Sequence, residues 1–207
     1  MYARAVLKLH YHPRSTFSRR VHMALLEKGL PFELIEIDMK NRGHKAPEYR
    51  ALNPYGRVPT LVDDDFVLYE SPAILEYLEA THPTPALVPG DVRGRALVSM
   101  HMKLADGEMG SATGTLIFPK RFLPKERWDL EAMGKARDAV QRHLRILEKT
   151  LGDRVWLVGD AYSLADLTYT PFAEFFGLMD VDVPPAVVGW SNRLLARPSA
   201  VQTKPDV

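Results

Sequence analysis

The sequence predicts an α/β domain followed by an all-α domain: β-α-β-α-β-β-α first, then a helical bundle. Two observations lead there. Short β-type and helical patterns alternate over about the first eighty residues. After a stretch punctuated by Pro83, Pro85, Pro89 and Gly90, strand signal almost vanishes and helical spacing takes over.

Ala5 to Tyr11 carries Val6, Leu7 and Leu9 and reads as a strand, broken by His12-Pro13-Arg14-Ser15. Phe17, Val21, Ala24 and Leu25 then fall at helical spacing from Thr16 to Lys28, with Gly29 where a helix C-cap belongs. Phe32 to Ile37 is a second strand, completing a parallel βαβ unit. Lys45 to Leu52 predicts a short helix, and Thr60–Val62 and Phe66–Leu68 around Asp63-Asp64-Asp65 predict a hairpin. Ser71-Pro72 opens the next helix as N-cap and first helical residue, with Ile74, Leu75 and Leu78 facing inward.

Residues 83–90 read as a linker between a domain of residues 1–82 and a helical domain of residues 91–207. In the latter, Leu97, Met100 and Leu104 are spaced as one helix, and Met133, Ala136, Val140, Leu144, Leu147 and Leu151 as another. Ser163 and Asp166 have reciprocal capping spacing, flanked by Tyr162 and Leu167 as a hydrophobic staple. A last helix covers Ala186 to Leu195. Gly107, Gly110 and Gly114 weaken helix and mark a kink, an open pocket wall or an irregular loop.

Composition narrows the function. The 207 residues carry a formal net charge of +1, which gives no electrostatic footprint for nucleic acid or an anionic membrane. With no cysteine there is no disulfide, thiolate zinc site or cysteine nucleophile, which suits a reducing compartment. Charge and histidine arrive by Lys8 and His10, before an apolar core long enough for a signal peptide, and no run is long enough to span a bilayer. The expectation is a cytoplasmic protein. His10 and His12 have no third partner at ligand spacing, so no metal is expected.

Three segments carry chemistry. Ser15-Thr16-Phe17-Ser18-Arg19-Arg20 lies at a strand-to-helix turn, where unpaired N–H groups and the helix dipole favour an anion and a hydroxyl can donate to it. Asn53-Pro54-Tyr55-Gly56-Arg57-Val58-Pro59-Thr60 places a proline at a strand start. A cis Val58-Pro59 bond would leave the Val58 backbone open to an added extended peptide. Glu70-Ser71-Pro72 offers a carboxylate for an ammonium beside a hydroxyl and N–H for a carboxylate, the two charges of an amino-acid head group. Taken singly, the three also read as an N-cap, a turn and a second cap.

In this order, on this pattern, the segments resemble the glutathione transferase family over nearly the whole chain. The likeness is to its serine-type branch, with phi-, theta- and zeta-like features. His44-Lys45-Ala46-Pro47-Glu48 is similar to the phi-type segment at the glycine carboxylate, and the Asn53–Pro59 run to Asn-Pro-Phe-Gly-Gln-Val-Pro. The resemblance implies a thioredoxin-like N-terminal domain, a helical domain with a co-substrate pocket, and a role in detoxification. Ser15 would donate to the glutathione sulfur. Val58, followed by Pro59, would pair with the cysteinyl backbone, while Glu70 and Ser71 would hold the γ-glutamyl end. His44 and Lys45 would face the glycine carboxylate; Arg57 stands where Gln or Lys is usual. Asp106 would support the γ-glutamyl site across a homodimer.

Glutathione is then a co-substrate, and its partner a hydrophobic electrophile. Tyr11 and Thr16 compete with Ser15 as sulfur donors. Arg14, Arg19 and Arg20 form either an anion-attracting group or a solvated basic face. Met109, Phe118, Phe122 and Trp128 line the second pocket or pack in the core. A non-catalytic module and a glutathione-dependent isomerase compete with the transferase reading. Ser15-Thr16-Phe17-Ser18 departs from the Ser-Ser-Cys-Ser of zeta-type isomerases.

Overall fold

The computed structural model describes residues 6–205. Two compact units emerge, one of Met1–Ala86 with Pro198–Val207 and one of Leu87–Arg197. Residues from Pro198 on therefore group with the first unit, whereas the sequence reading placed them in the helical domain.

The first unit follows the expected order: β1 (Leu7–Tyr11), α1 (Thr16–Glu27), β2 (Phe32–Glu36), α2 (Pro47–Leu52), β3 (Thr60–Asp63), β4 (Phe66–Tyr69) and α3 (Ser71–Thr81). The sheet order is β2-β1-β3-β4, with β1 parallel to β2 and the other pairs antiparallel, the thioredoxin-like arrangement. Ala5, given to the first strand from sequence, lies outside the described residues. Leu7 and Leu9 alternate with exposed Lys8, and Val21, Met23, Ala24 and Leu25 of α1 are buried with Ile74, Leu75 and Leu78 of α3. The period-2 and period-3.6 patterns thus meet in one core. A short helix, α9 (Pro198–Gln202), was not foreseen. Arg19 holds it, donating from Nη2 to the Ala200 carbonyl at 3.0 Å.

Two refinements concern helix ends. Gly29, at φ +60°, follows Lys28 as the cap of α1, a backbone conformation that suits glycine. Ser71 is the first residue of α3 rather than its N-cap; Glu70 is the cap residue, at φ +70°. The Ser71 hydroxyl is therefore not spent on the helix end.

The second unit runs α4 (Val92–Leu104), a widened π-type turn (Ala105–Gly110), α5 (Ser111–Phe122), α6 (Leu130–Leu151), α7 (Leu164–Ala173) and α8 (Pro185–Leu195). The glycine-bearing stretch is helical: α4, the wide turn and α5 form one uninterrupted run. On α6, Met133, Val140, Leu144, Leu147 and Leu151 are buried as their spacing predicts. On α4 the spacing points the wrong way. Leu97 and Met100 are exposed, while Val98, His101 and Met102 are buried.

The capping pair at α7 exists and reaches further than its own helix. Asp166 accepts from the Ser163 backbone N–H and hydroxyl, both at 3.1 Å, from the Leu157 N–H at 3.0 Å and from Trp190 Nε1 at 2.9 Å. Burial pushes its pKa up, against the pull of those donors.

Candidate active site

Ser15 caps α1. Its hydroxyl oxygen accepts the Ser18 N–H at 3.1 Å, and its own N–H donates to the His12 carbonyl at 3.0 Å. Ser18 is fully buried and its hydroxyl accepts the His12 N–H at 3.3 Å, which ties the turn back on itself. A capping serine uses an oxygen lone pair, so its hydroxyl proton remains available to an anion at the same helix end.

Two of the three arginines around Ser15 do not form a solvated face. Arg14 is exposed, but Arg19 and Arg20 are 4% and 0% exposed. Arg20 stacks 4.9 Å from the centre of the Phe17 ring and donates from Nη1 to the Ser71 hydroxyl at 3.5 Å. A buried guanidinium therefore stands at the start of α3, beside the proposed carboxylate pocket. Sequence reasoning missed this role because Arg19-Arg20, read as charge alone, suggests surface.

The bend from Asn53 to Thr60 is built from side chains as much as from backbone. The Val58-Pro59 peptide is cis. Thr60, Leu61 and Val62 pair with β1, and Val58 precedes them in the chain. Val58, Ile37 and Tyr49 form a small buried cluster with Met39 and Leu52 against it. Gly56, at φ +58°, lies under the carbonyl of His44: a Cβ there would be 2.4 Å from that oxygen. Lys45 Nζ donates to the carbonyls of Tyr55 and Gly56 at 3.4 and 3.3 Å. His44 and Lys45 thus come up against the same bend as Val58. His44 has its pKa lowered, by burial first and then by Lys45 and Arg42, and its Nδ1 is buried without a hydrogen-bond partner among the described residues.

Ser15, His44, Lys45, Arg57, Val58, Pro59, Glu70 and Ser71 all belong to the first unit. Arg57 and Glu70 are exposed; Val58, Pro59 and Ser71 are buried. Asp106 belongs to the helical unit, on the widened turn. A cleft of about 540 Å³ beside the Ser15 turn is lined by His12, Pro13, Arg14, Glu36, Asp38, Met39 and Lys40. Tyr11 lines a second cavity of about 130 Å³, which shares His12 and Pro13 with the first and adds Arg19, His22 and residues 202–204. Of the residues considered for the second pocket, Met109 is fully buried and Trp128 donates Nε1 to the Pro119 and Leu123 carbonyls. Phe118 and Phe122 are exposed, with ring centres 5.3 Å apart. Among the described residues no group of three or more His, Asp or Glu is placed to hold a metal, and no helix is long and apolar enough to cross a membrane.

Comparison with known proteins agrees over nearly the whole length. The glutathione S-transferase N-terminal domain family matches residues 14–81, and the C-terminal domain family matches residues 117–198. Glutathione S-transferase APIC of Nicotiana tabacum is 31% identical over 206 residues, covering 95% of this chain and 96% of the relative. Maleylacetoacetate isomerase of Pseudomonas aeruginosa is 34% identical, covering 96% of each. The crystal structure of poplar glutathione transferase F1 superposes with a TM-score of 0.87 at 27% identity, over 96% of both chains. With both domains matched in order and these relatives aligned over at least 95% of this chain, it belongs to the glutathione S-transferase family.

Proposed function

We propose that this glutathione transferase binds glutathione on its N-terminal unit and stabilises the thiolate with Ser15 for attack on a hydrophobic electrophile. The observation that carries the reading is the state of Ser15. Its oxygen is already engaged by the Ser18 N–H, which fixes the side chain at the α1 N-terminus and leaves the hydroxyl proton to meet an incoming sulfur. A free thiol of pKa about 8.5 is only a few per cent ionised near neutrality, and a helix N-terminus with an added donor lowers that value. The charged sulfur accepts the hydroxyl proton more strongly than the neutral one, so the bond selects the thiolate.

The remaining subsites follow the tripeptide. Val58, ahead of Pro59, pairs with the cysteinyl backbone. Glu70 takes the γ-glutamyl ammonium and Ser71 its carboxylate, a reading supported by the Arg20 guanidinium at Ser71. His44 and Lys45, with Arg57 beside them, face the glycine carboxylate. Asp106 supports the γ-glutamyl site in a homodimer, and the exposed Val92, Leu97 and Met100 on α4 are apolar surface that such an assembly would cover. A cysteine-free chain suits a cytoplasmic detoxification enzyme.

Ser15→Ala tests this. Turnover should fall on the order of 10²-fold, the usual cost of one preorganised donor, with glutathione affinity nearly kept. Ultraviolet titration of the bound thiol should show its pKa rising toward the free value. An unchanged rate and thiol pKa refute the assignment. The isomerase relative motivates a second reading, glutathione-dependent cis–trans isomerisation. It requires turnover of a cis-dienoic diacid, and none with active conjugating enzyme eliminates it.

A further inference from the structure

We infer that Tyr49 and Asn53 are a positioning pair that sets the backbone of Val58 for the ligand peptide. The inference rests on the proposed pairing of Val58 with the glutathione cysteinyl backbone. Val58 precedes the residues that pair in β3, so the β1–β3 ladder does not itself fix its peptide groups. The chain is gripped instead on both sides of the Val58-Pro59 dipeptide.

Ahead of it, the Arg57 carbonyl accepts from Tyr49 Oη at 2.6 Å and from Asn53 Nδ2 at 2.9 Å. Behind it, Thr60 Oγ1 lies 2.9 Å from Tyr49 Oη and 3.3 Å from Asn53 Nδ2.

Counting protons fixes the directions. A tyrosine hydroxyl has one, and Tyr49 gives it to the Arg57 carbonyl, so Thr60 donates its own to Tyr49 Oη. Thr60 Oγ1 then accepts from Asn53, whose other amide proton goes to the same Arg57 carbonyl. The Tyr55 N–H donates to Asn53 Oδ1 at 3.1 Å, which settles which way the amide faces. The result is a closed ring in which each of these donors has an acceptor.

Tyr49, Asn53 and Thr60 are 5%, 2% and 0% exposed, so water does not compete for these bonds. Tyr49 and Asn53 are one helical turn apart, on and just beyond α2, and reach the bend from one face. Because the Tyr49 ring also packs with Val58 and Ile37, the hydroxyl can be deleted without emptying the cluster.

Tyr49→Phe and Thr60→Val, singly and together, test the ring that the pair closes. Tyr77→Phe is the control, since it deletes a comparable hydroxyl bond to Asp63 on another face of the same unit. Glutathione dissociation constants are read by calorimetry, kcat and KM with a chromogenic electrophile, and the bound thiol pKa by ultraviolet titration. For Tyr49→Phe, Kd and KM for glutathione should rise about three- to tenfold, as loss of one buried hydrogen bond allows, while kcat and the bound thiol pKa hold. The double variant should be no worse than the more affected single one, because either deletion opens the ring. Tyr77→Phe should leave KM alone. Wild-type binding that Tyr49→Phe leaves within twofold, despite a lower unfolding midpoint, overturns the positioning role and spares the Val58 pairing. Failure of the wild type to bind glutathione overturns both.

Discussion

Asp166→Ala should be among the most costly single changes in the helical unit, and its cost can be worked from four bonds. The carboxylate accepts from two backbone N–H groups, a hydroxyl and an indole N–H, and both Asp166 and Trp190 are fully buried. Deleting it strands three fixed donors: Leu157 N, Ser163 N and Trp190 Nε1. The Ser163 hydroxyl can rotate to another partner. At about 1–3 kcal/mol for each buried donor left unmade, the gross loss lies near 3–9 kcal/mol. Two effects reduce it. Burying the carboxylate is itself unfavourable, as its raised pKa records, and water can enter the space it leaves. A net loss of about 3–5 kcal/mol follows, above the roughly 1 kcal/mol of an ordinary N-cap. Asp166→Asn keeps one acceptor and the shape, and should cost about 1–2 kcal/mol. Urea unfolding at fixed protein concentration, followed by circular dichroism and tryptophan fluorescence, measures both. A loss below about 1 kcal/mol for the alanine variant, or an asparagine variant worse than it, would refute the view that Asp166 joins α7 to α8 and the Leu157 loop.

Two further outcomes follow from single residues. His101 is 3% exposed, and burial, then the charges of His143 and Arg154, lower its pKa to about 4. The unfolded chain therefore binds a proton that the folded chain refuses, and stability should fall as pH drops from about 6.5 toward 4. The window is worth about 2–3 kcal/mol and should flatten in His101→Gln, read as unfolding midpoint against pH. Gly56→Ala combines a positive φ with a Cβ 2.4 Å from the His44 carbonyl. It should cost at least about 2 kcal/mol and raise KM for glutathione, and a neutral result would mean the His44 segment is not seated on the bend.

What the sequence made legible depends on whether a residue's surroundings were local. The caps at Ser15 and Ser163, the glycine after α1 and the inward stripe of α6 are set by neighbours within a turn or two, and they could be read directly. Arg19 and Arg20 could not. Their partners include the Thr203 hydroxyl, the Ala200 carbonyl and the Ser71 hydroxyl, 51 or more positions away, and contacts at that distance help make burial of a guanidinium tolerable. On α4, Leu97, Met100 and Leu104 are a genuine helical stripe, but spacing reveals a face without saying what covers it. The buried side instead carries His101, which a hydrophobicity pattern discounts. The five-residue α9 has too few turns to show any period. Tyr49 lies outside every motif, and Asn53 opens the Asn53–Pro59 run without a role of its own there, because a hydroxyl closing a ring with Arg57 and Thr60 leaves no signature in spacing.

The widened turn at Ala105–Gly110 also has a bearing on which side chains this helical unit presents. A π-type turn accommodates one residue more than an α turn, and such a residue is tolerated most easily where glycines stand, as Gly107 and Gly110 do here. The extra residue works as a phase shifter. Each position beyond it is turned by about 100° relative to an unbroken α-helix, so α4 runs on into α5 without a common angular register. Removing a single residue from the turn would swing the Phe118–Phe122 pair about a quarter of the way round the helix without altering a side chain. One codon gained or lost at this point is therefore a means of changing which side chains α5 presents.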